Sequence, residues 1–259
     1  MPPVSHQPAA MAVDPVPAAL AHRLARVPLV ADPDAARKAV DDWLAEAGEA
    51  GAAITALAAE VPRVRPLLEA VADGSPFLFE LMRRDAAGLL TLLGSDPDRH
   101  LTARLSETFR AASHSRDDAE VMRLLRRMKA EAALLIALAD IGGVWDLGRV
   151  TRALSDLADA AVCAAVRYLL LGAVRAGKLV PADPDHVEEH CGYVVFAMGK
   201  MGAHELNYSS DIDLIVFFDP QAPLAPGVEP AQLFVRLTRT LIKLLQERNG
   251  DGYVFRVDL

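Results

Sequence analysis

Cysteine is nearly absent. Cys163 and Cys191 are the only two in 259 residues, one inside a helical pattern and the other just ahead of a strand pattern. Two cysteines cannot frame a disulfide scaffold, and neither has a partner at zinc-ligand spacing, so a reducing, cytoplasmic home is expected. An excess of positive charge is also missing. With a net charge of −8 and a pI near 5.4, the chain lacks the basic surface that phosphate neutralisation requires, and no nucleic-acid partner is expected. A nucleotide can still bind through metal ions and a local loop. Long apolar runs are scarce: the longest, 158–174, is interrupted by Arg167, and no basic segment, short apolar core and cleavage site open the chain. Neither membrane insertion nor export is expected. What the chain does have, 52% hydrophobic and 24% charged residues, suffices to bury a core in one large domain or two smaller ones.

Proline punctuates the beginning. Pro2, Pro3, Pro8, Pro15 and Pro17 among Ala, Ser and Val predict a mobile leader, taken to span residues 1–30. Residues 31–180 are Ala- and Leu-rich with helical spacing, broken at Gly51, Pro62, Pro66, Gly74-Ser75-Pro76, Gly94-Ser95-Asp96-Pro97 and Gly142-Gly143, which predicts a bundle of six or more helices. The clearest helix runs from Asp117 to Asp140, with Val121, Leu125, Met128, Ala132, Leu135 and Ala139 on one face, Ser115 or Asp117 capping its start and Gly142 its end. A second long helix follows from Val150 to Leu169. The pattern changes at Pro181. Tyr193–Met198 and Ile212–Phe218 read as buried strands, 231–248 as an amphipathic helix, and Tyr253–Leu259 as a third strand. The fold class is therefore α+β: a helical bundle followed by a small sheet with a flanking helix, over residues 181–259.

The chemistry concentrates in Gly199-Lys-Met-Gly-Ala-His-Glu-Leu-Asn-Tyr-Ser-Ser-Asp-Ile-Asp-Leu214. Alternation along a strand puts Asp211 and Asp213 on one face, where neighbouring carboxylates repel unless a cation lies between them. On the third strand the same alternation puts Val254, Arg256 and Asp258 on one side, which makes Asp258 the third acid. Such a set suits Mg²⁺, with Mn²⁺ the alternative, bridging to substrate phosphates. Gly199 and Gly202 let the backbone approach a phosphate, with Ser209 and Ser210 offering donors. Lys200 reads as a surface lysine or a phosphate contact, and Asn207 as a loop-shaping Asx residue or a ligand contact. His204 reads as a loop residue rather than a metal ligand. Arg123, Arg126, Arg127 and Lys129 read as a solvated helix face, and Trp43 and Trp145 as packing residues.

The stretch from Gly199 to Leu214, together with Gly252-Tyr-Val-Phe-Arg-Val-Asp-Leu259, resembles the bifunctional glutamine synthetase adenylyltransferase/adenylyl-removing enzymes, with weaker similarity back to about Ser95. The resemblance implies a nucleotidyltransferase core of the DNA polymerase β type. In it Asp211, Asp213 and Asp258 would be catalytic metal ligands, and Gly199, Lys200, Gly202, Asn207, Ser209 and Ser210 would form the nucleotide and phosphate cradle. It also implies glutamine synthetase as protein substrate, the PII signal protein as regulator, and a helical leader matching the half that removes AMP by phosphorolysis. Ala203 stands where the family has the second glycine of a Gly-Gly pair. The family continues beyond the position of Leu259, so a fragment is expected. Transfer of AMP from ATP, or a non-catalytic helical binding module, are the alternative readings.

Overall fold

Acidic and hydroxyl caps followed by proline divide the front of the molecule into short helices. In the computed structural model, which describes residues 19–259, these are α1 (Leu20–Arg23), α2 (Pro33–Glu46), α3 (Gly48–Glu60), α4 (Val64–Gly74), α5 (Pro76–Arg84), α6 (Ala86–Gly94) and α7 (Pro97–His114), followed by two long helices, α8 (Asp118–Ile141) and α9 (Leu147–Arg175). The side chains of Asp32, Ser75, Asp85, Asp96, Asp117 and Asp146 each accept a main-chain N–H in the first turn that follows, satisfying donors that the helix itself leaves free. Pro33, Pro76 and Pro97 occupy first-turn positions, where no N–H is missed.

Several expectations change here. Residues 1–18 of the expected leader lie outside the described residues, whereas Leu20, Ala21 and Leu24 are buried in the bundle core, so the chain joins the bundle before residue 30. Gly51 does not break a helix. It lies inside α3, where a Cβ would stand 2.0 Å from the Leu44 carbonyl oxygen of α2, so glycine is what lets the two helices touch. Asp117 caps α8, while Ser115 Oγ accepts from the Asp117 N–H and donates to Glu120. At its other end the left-handed residue is Gly143, at φ 67°, and Gly142 keeps a helical φ of −72°.

The sheet follows: β1 (Tyr193–Ala197), a single helical turn α10 (Gly199–Gly202), β2 (Ile212–Phe218), α11 (Pro230–Gln246) and β3 (Val257–Asp258). β1 pairs antiparallel with β2, and β2 parallel with β3, in the order β1-β2-β3. A parallel neighbour needs a crossover, which α11 supplies. The third strand is shorter than its alternation predicts. The Val254 and Phe255 amides both donate to the Leu245 carbonyl at the end of α11, which bends the chain, buries both side chains and delays pairing until Val257.

One apolar core runs through bundle and sheet, from Leu20 to Val257. Phe234 of α11 stacks on Tyr193 at 5.4 Å and lies 5.6 Å from Phe218, while α11 also packs on α8 and α9. By length and composition α9 could cross a membrane, but here it is a core helix with much of its surface inside the fold.

Candidate functional site

The glycine-led turn is laid directly on Asp213. The Met198 amide donates to the Asp213 carbonyl at 2.8 Å, and Gly199 then takes φ +54°, a conformation that side-chain-bearing residues seldom adopt. A Cβ on Gly199 would lie 2.6 Å from Asp213 Oδ2. Gly202 matters for packing instead. A Cβ there would meet the Ala197 carbonyl oxygen at 2.4 Å, so this glycine seats the turn against the end of β1.

The rest of the loop is pinned. Met201 and Leu206 are buried. The Leu206 amide donates to Ser155 Oγ, a fully buried hydroxyl on α9, at 3.2 Å. The Asn207 amide donates to Ser210 Oγ at 3.2 Å and the Ser210 amide returns to the Asn207 carbonyl at 3.3 Å, a local turn that occupies both residues. Tyr208 Oη donates to Asp140 Oδ2 at the end of α8 at 3.0 Å. Burial and the neighbouring Asp140 carboxylate push the Tyr208 hydroxyl well above its ordinary pKa. Lys200, Asn207 and Ser209 are exposed. His204 takes φ +56° and faces Asp159 of α9, whose carboxyl burial pushes up, against the pull of His204 and with the push of Asp156.

The parallel register places Asp213 directly opposite Asp258. Like charges across from each other on adjacent strands destabilise the pair, so this row has the make-up of a cation site. Two residues back along both strands Arg256 meets Asp211: its Nε donates to Asp211 Oδ1, and its Nη2 donates to the Ser209 carbonyl at 3.4 Å. Asp211 is therefore held by a guanidinium rather than gathered with the other two acids. Among the described residues no group of three or more His, Cys, Asp or Glu side chains is arranged around one point to hold a metal ion. The chemistry of Asp213 and Asp258, hard oxygen donors beside a close backbone turn, nonetheless fits a divalent cation.

The basic patch expected on α8 is divided. Arg123 and Arg127 are exposed, but Arg126 is 2% exposed. It donates to the carbonyls of Met122 (2.9 Å), Leu244 (3.3 Å), Gly252 (2.9 Å) and Glu247, tying α8 to the end of α11 and to the turn before β3. Lys129 lies over the Tyr253 ring, 4.7 Å from its centre. Burial lowers the pKa of both groups. The sequence placed Arg126 on a solvated face, which its burial overturns, and assigned no role to Arg256 or Ser155. Only Ser155, a polar residue inside the apolar stripe of α9, carried a signal.

The site is thus a glycine turn set against Asp213, with Asp258 opposite it on the adjacent strand. The profile of the glutamate-ammonia ligase adenylyltransferase family matches residues 65–259. Three relatives, each a bifunctional glutamine synthetase adenylyltransferase/adenylyl-removing enzyme, are similar to the chain. That of Bradyrhizobium diazoefficiens is 53% identical over 93% of this chain and 24% of its own length. That of Rhodopseudomonas palustris strain HaA2 is 52% identical over 94% and 25%, and that of Xanthobacter autotrophicus is 54% identical over 80% and 21%. The chain belongs to the glutamate-ammonia ligase adenylyltransferase family, and it spans about a quarter of the length of these relatives. The similarity reaches well ahead of Ser95, into the helices where the sequence motifs alone gave no anchor.

Proposed function

We propose that this chain carries a nucleotidyltransferase centre that regulates glutamine synthetase, in the cytoplasm, by phosphorolytic removal of AMP from an adenylylated tyrosine. The observation that carries the reading is the opposition of Asp213 and Asp258 beside the Gly199 turn. The names of the relatives supply the substrate, and the long helical region ahead of the motif favours removal over addition.

In the proposed reaction a phosphate oxygen attacks the adenylyl phosphorus in line with the tyrosyl oxygen. The new P–O bond makes ADP, the bond to tyrosine breaks, and the tyrosyl oxygen takes up a proton. Asp213 and Asp258 would hold Mg²⁺ or Mn²⁺, with Asp211 joining them on release from Arg256, and the ion would neutralise charge on the adenylyl group in transfer. Gly199 keeps the backbone close enough for phosphate to reach the carboxylate row. Lys200 and Ser209, both exposed, would offer a charge and a hydroxyl from the solvent side, and Arg256 neutralises Asp211. The PII signal protein is the proposed regulator.

The test incubates adenylylated glutamine synthetase with phosphate and Mg²⁺, using this chain and, in parallel, an intact relative. ADP release that disappears in Asp213→Asn supports the proposal. Transfer of label from α-labelled ATP to the synthetase would make the centre an adenylyltransferase. Binding to the synthetase that survives Asp213→Asn, with no nucleotide turnover in either protein, would reduce the chain to a docking module.

A further inference from the structure

The strands of the sheet are apolar on both sides. Tyr193-Val-Val-Phe-Ala and Ile212-Asp-Leu-Ile-Val-Phe-Phe are near-continuous hydrophobic runs, the pattern of strands covered on both faces. Only one face is covered by the described residues: Tyr193, Ile212 and Leu214 are buried, and Phe234 of α11 packs on that side. On the other face Val194 pairs across from Phe217 and Phe196 from Ile215. Phe196 and Phe217 meet edge to face at 5.8 Å, yet they remain 52% and 58% exposed. Met198, at the edge of the same patch, is exposed as well. A contiguous aromatic and aliphatic patch of this kind marks an interaction surface.

The occupant follows from length. The chain matches a quarter of its relatives, so roughly three quarters of each relative is polypeptide from outside this stretch, present at high effective concentration because it is covalently linked. Strands of two-sided composition with one bare face are what a layered fold leaves when its second covering layer comes from elsewhere in the same polypeptide. We infer that the Val194, Phe196, Ile215 and Phe217 face is an internal interface, covered in a relative-length protein by polypeptide from outside the matched quarter. Asp213 lies on the same face, so this cover borders the carboxylate row.

Site-specific cysteine labelling tests it, using Phe217→Cys in a Cys163→Ser background of this chain and cysteine at the aligned position of the intact Bradyrhizobium diazoefficiens relative. Labelling is read at the site by mass spectrometry and scaled to the rate in urea. The expected result is rapid labelling in this chain at all protein concentrations and labelling slower by about tenfold or more in the intact relative. Equal, rapid labelling in both would overturn the inference, leaving the face to a separate partner. Labelling that slows in this chain as its concentration rises would also overturn it, by assigning the face to a second copy. Phe196→Cys, which opens the other strand of the patch, gives the same comparison if Phe217→Cys fails to fold. No nucleotide, metal or glutamine synthetase enters the measurement, so it stands or falls separately from the phosphorolysis reading.

Discussion

A guanidinium sealed from water and facing four main-chain carbonyls makes Arg126 the clamp between α8 and the turn that delivers β3. Arg126→Met leaves those carbonyls without their donor in a buried place. A loss of about 3 kcal/mol or more is expected in urea unfolding, with Arg126→Lys recovering part of it. Gly199→Ala acts differently. The positive φ costs on the order of 1 kcal/mol, but the added methyl lies 2.6 Å from Asp213 Oδ2 and displaces the carboxylate. If the proposed deadenylylation is this centre's reaction, it should fall far more than the unfolding midpoint, and measuring both on one preparation checks it. At this scale the sequence was legible where periodicity speaks: alternation singled out Asp213 and Asp258, which the strand register sets opposite one another, but gave no sign that Arg256 holds Asp211. It misplaced Arg126 on a solvated face, because a basic residue in a run of basic residues has no pattern to show that the α11 carbonyls close over it.

At the scale of elements, the loop from Gly199 to Ser210 is held by a helix remote in sequence. Ser155→Ala removes the acceptor of the Leu206 amide, and a cost of about 1 kcal/mol is expected, together with faster hydrogen exchange at Leu206. The bundle has its own polar joint at Asp98, at the start of α7. Asp98 accepts from Arg149 at 2.8 Å, from Trp145 Nε1 at 3.3 Å and from Arg23 at 3.4 Å. Burial pushes its carboxyl up, but the hydrogen bond and charge of Arg149, with Trp145 and Arg23, more than reverse this, and its pKa lies below the ordinary value. A depressed folded-state pKa contributes stability that is complete above the unfolded value, near 4, and is lost as the pH falls through the folded one. Urea midpoints should fall on acidification below about pH 4, and less steeply in Asp98→Asn. Helix existence was legible here from caps and prolines. The true length of the third strand was not, since the bend at Val254 and Phe255 depends on the Leu245 carbonyl.

At the scale of the molecule, bundle and sheet share one core rather than meeting at a linker. The Pro181 segment is tied down at both sides: the Val180 amide donates to the Pro223 carbonyl at 2.8 Å, and Arg167 of α9 grips Glu188 at 2.7 Å. Leu241→Ala, on α11 at the centre of that shared core, should cost about 2–5 kcal/mol. It should lower the transition reported by Trp43 and Trp145 fluorescence, in the bundle, by as much as the transition reported by circular dichroism. Separate transitions would show two independent units. The order of elements could be read from the sequence because each has its own period, whereas the fusion into one core rests on contacts between α11, α8 and α9 that no local pattern encodes.

The parallel pairing of β2 with β3 has a consequence for biosynthesis. Parallel neighbours meet only after the intervening helix has docked, and closing so long a loop is slow. The acids at 213 and 258 come face to face only once α11 has found its seat, so in a nascent chain leaving the ribosome the carboxylate row is expected to be completed late.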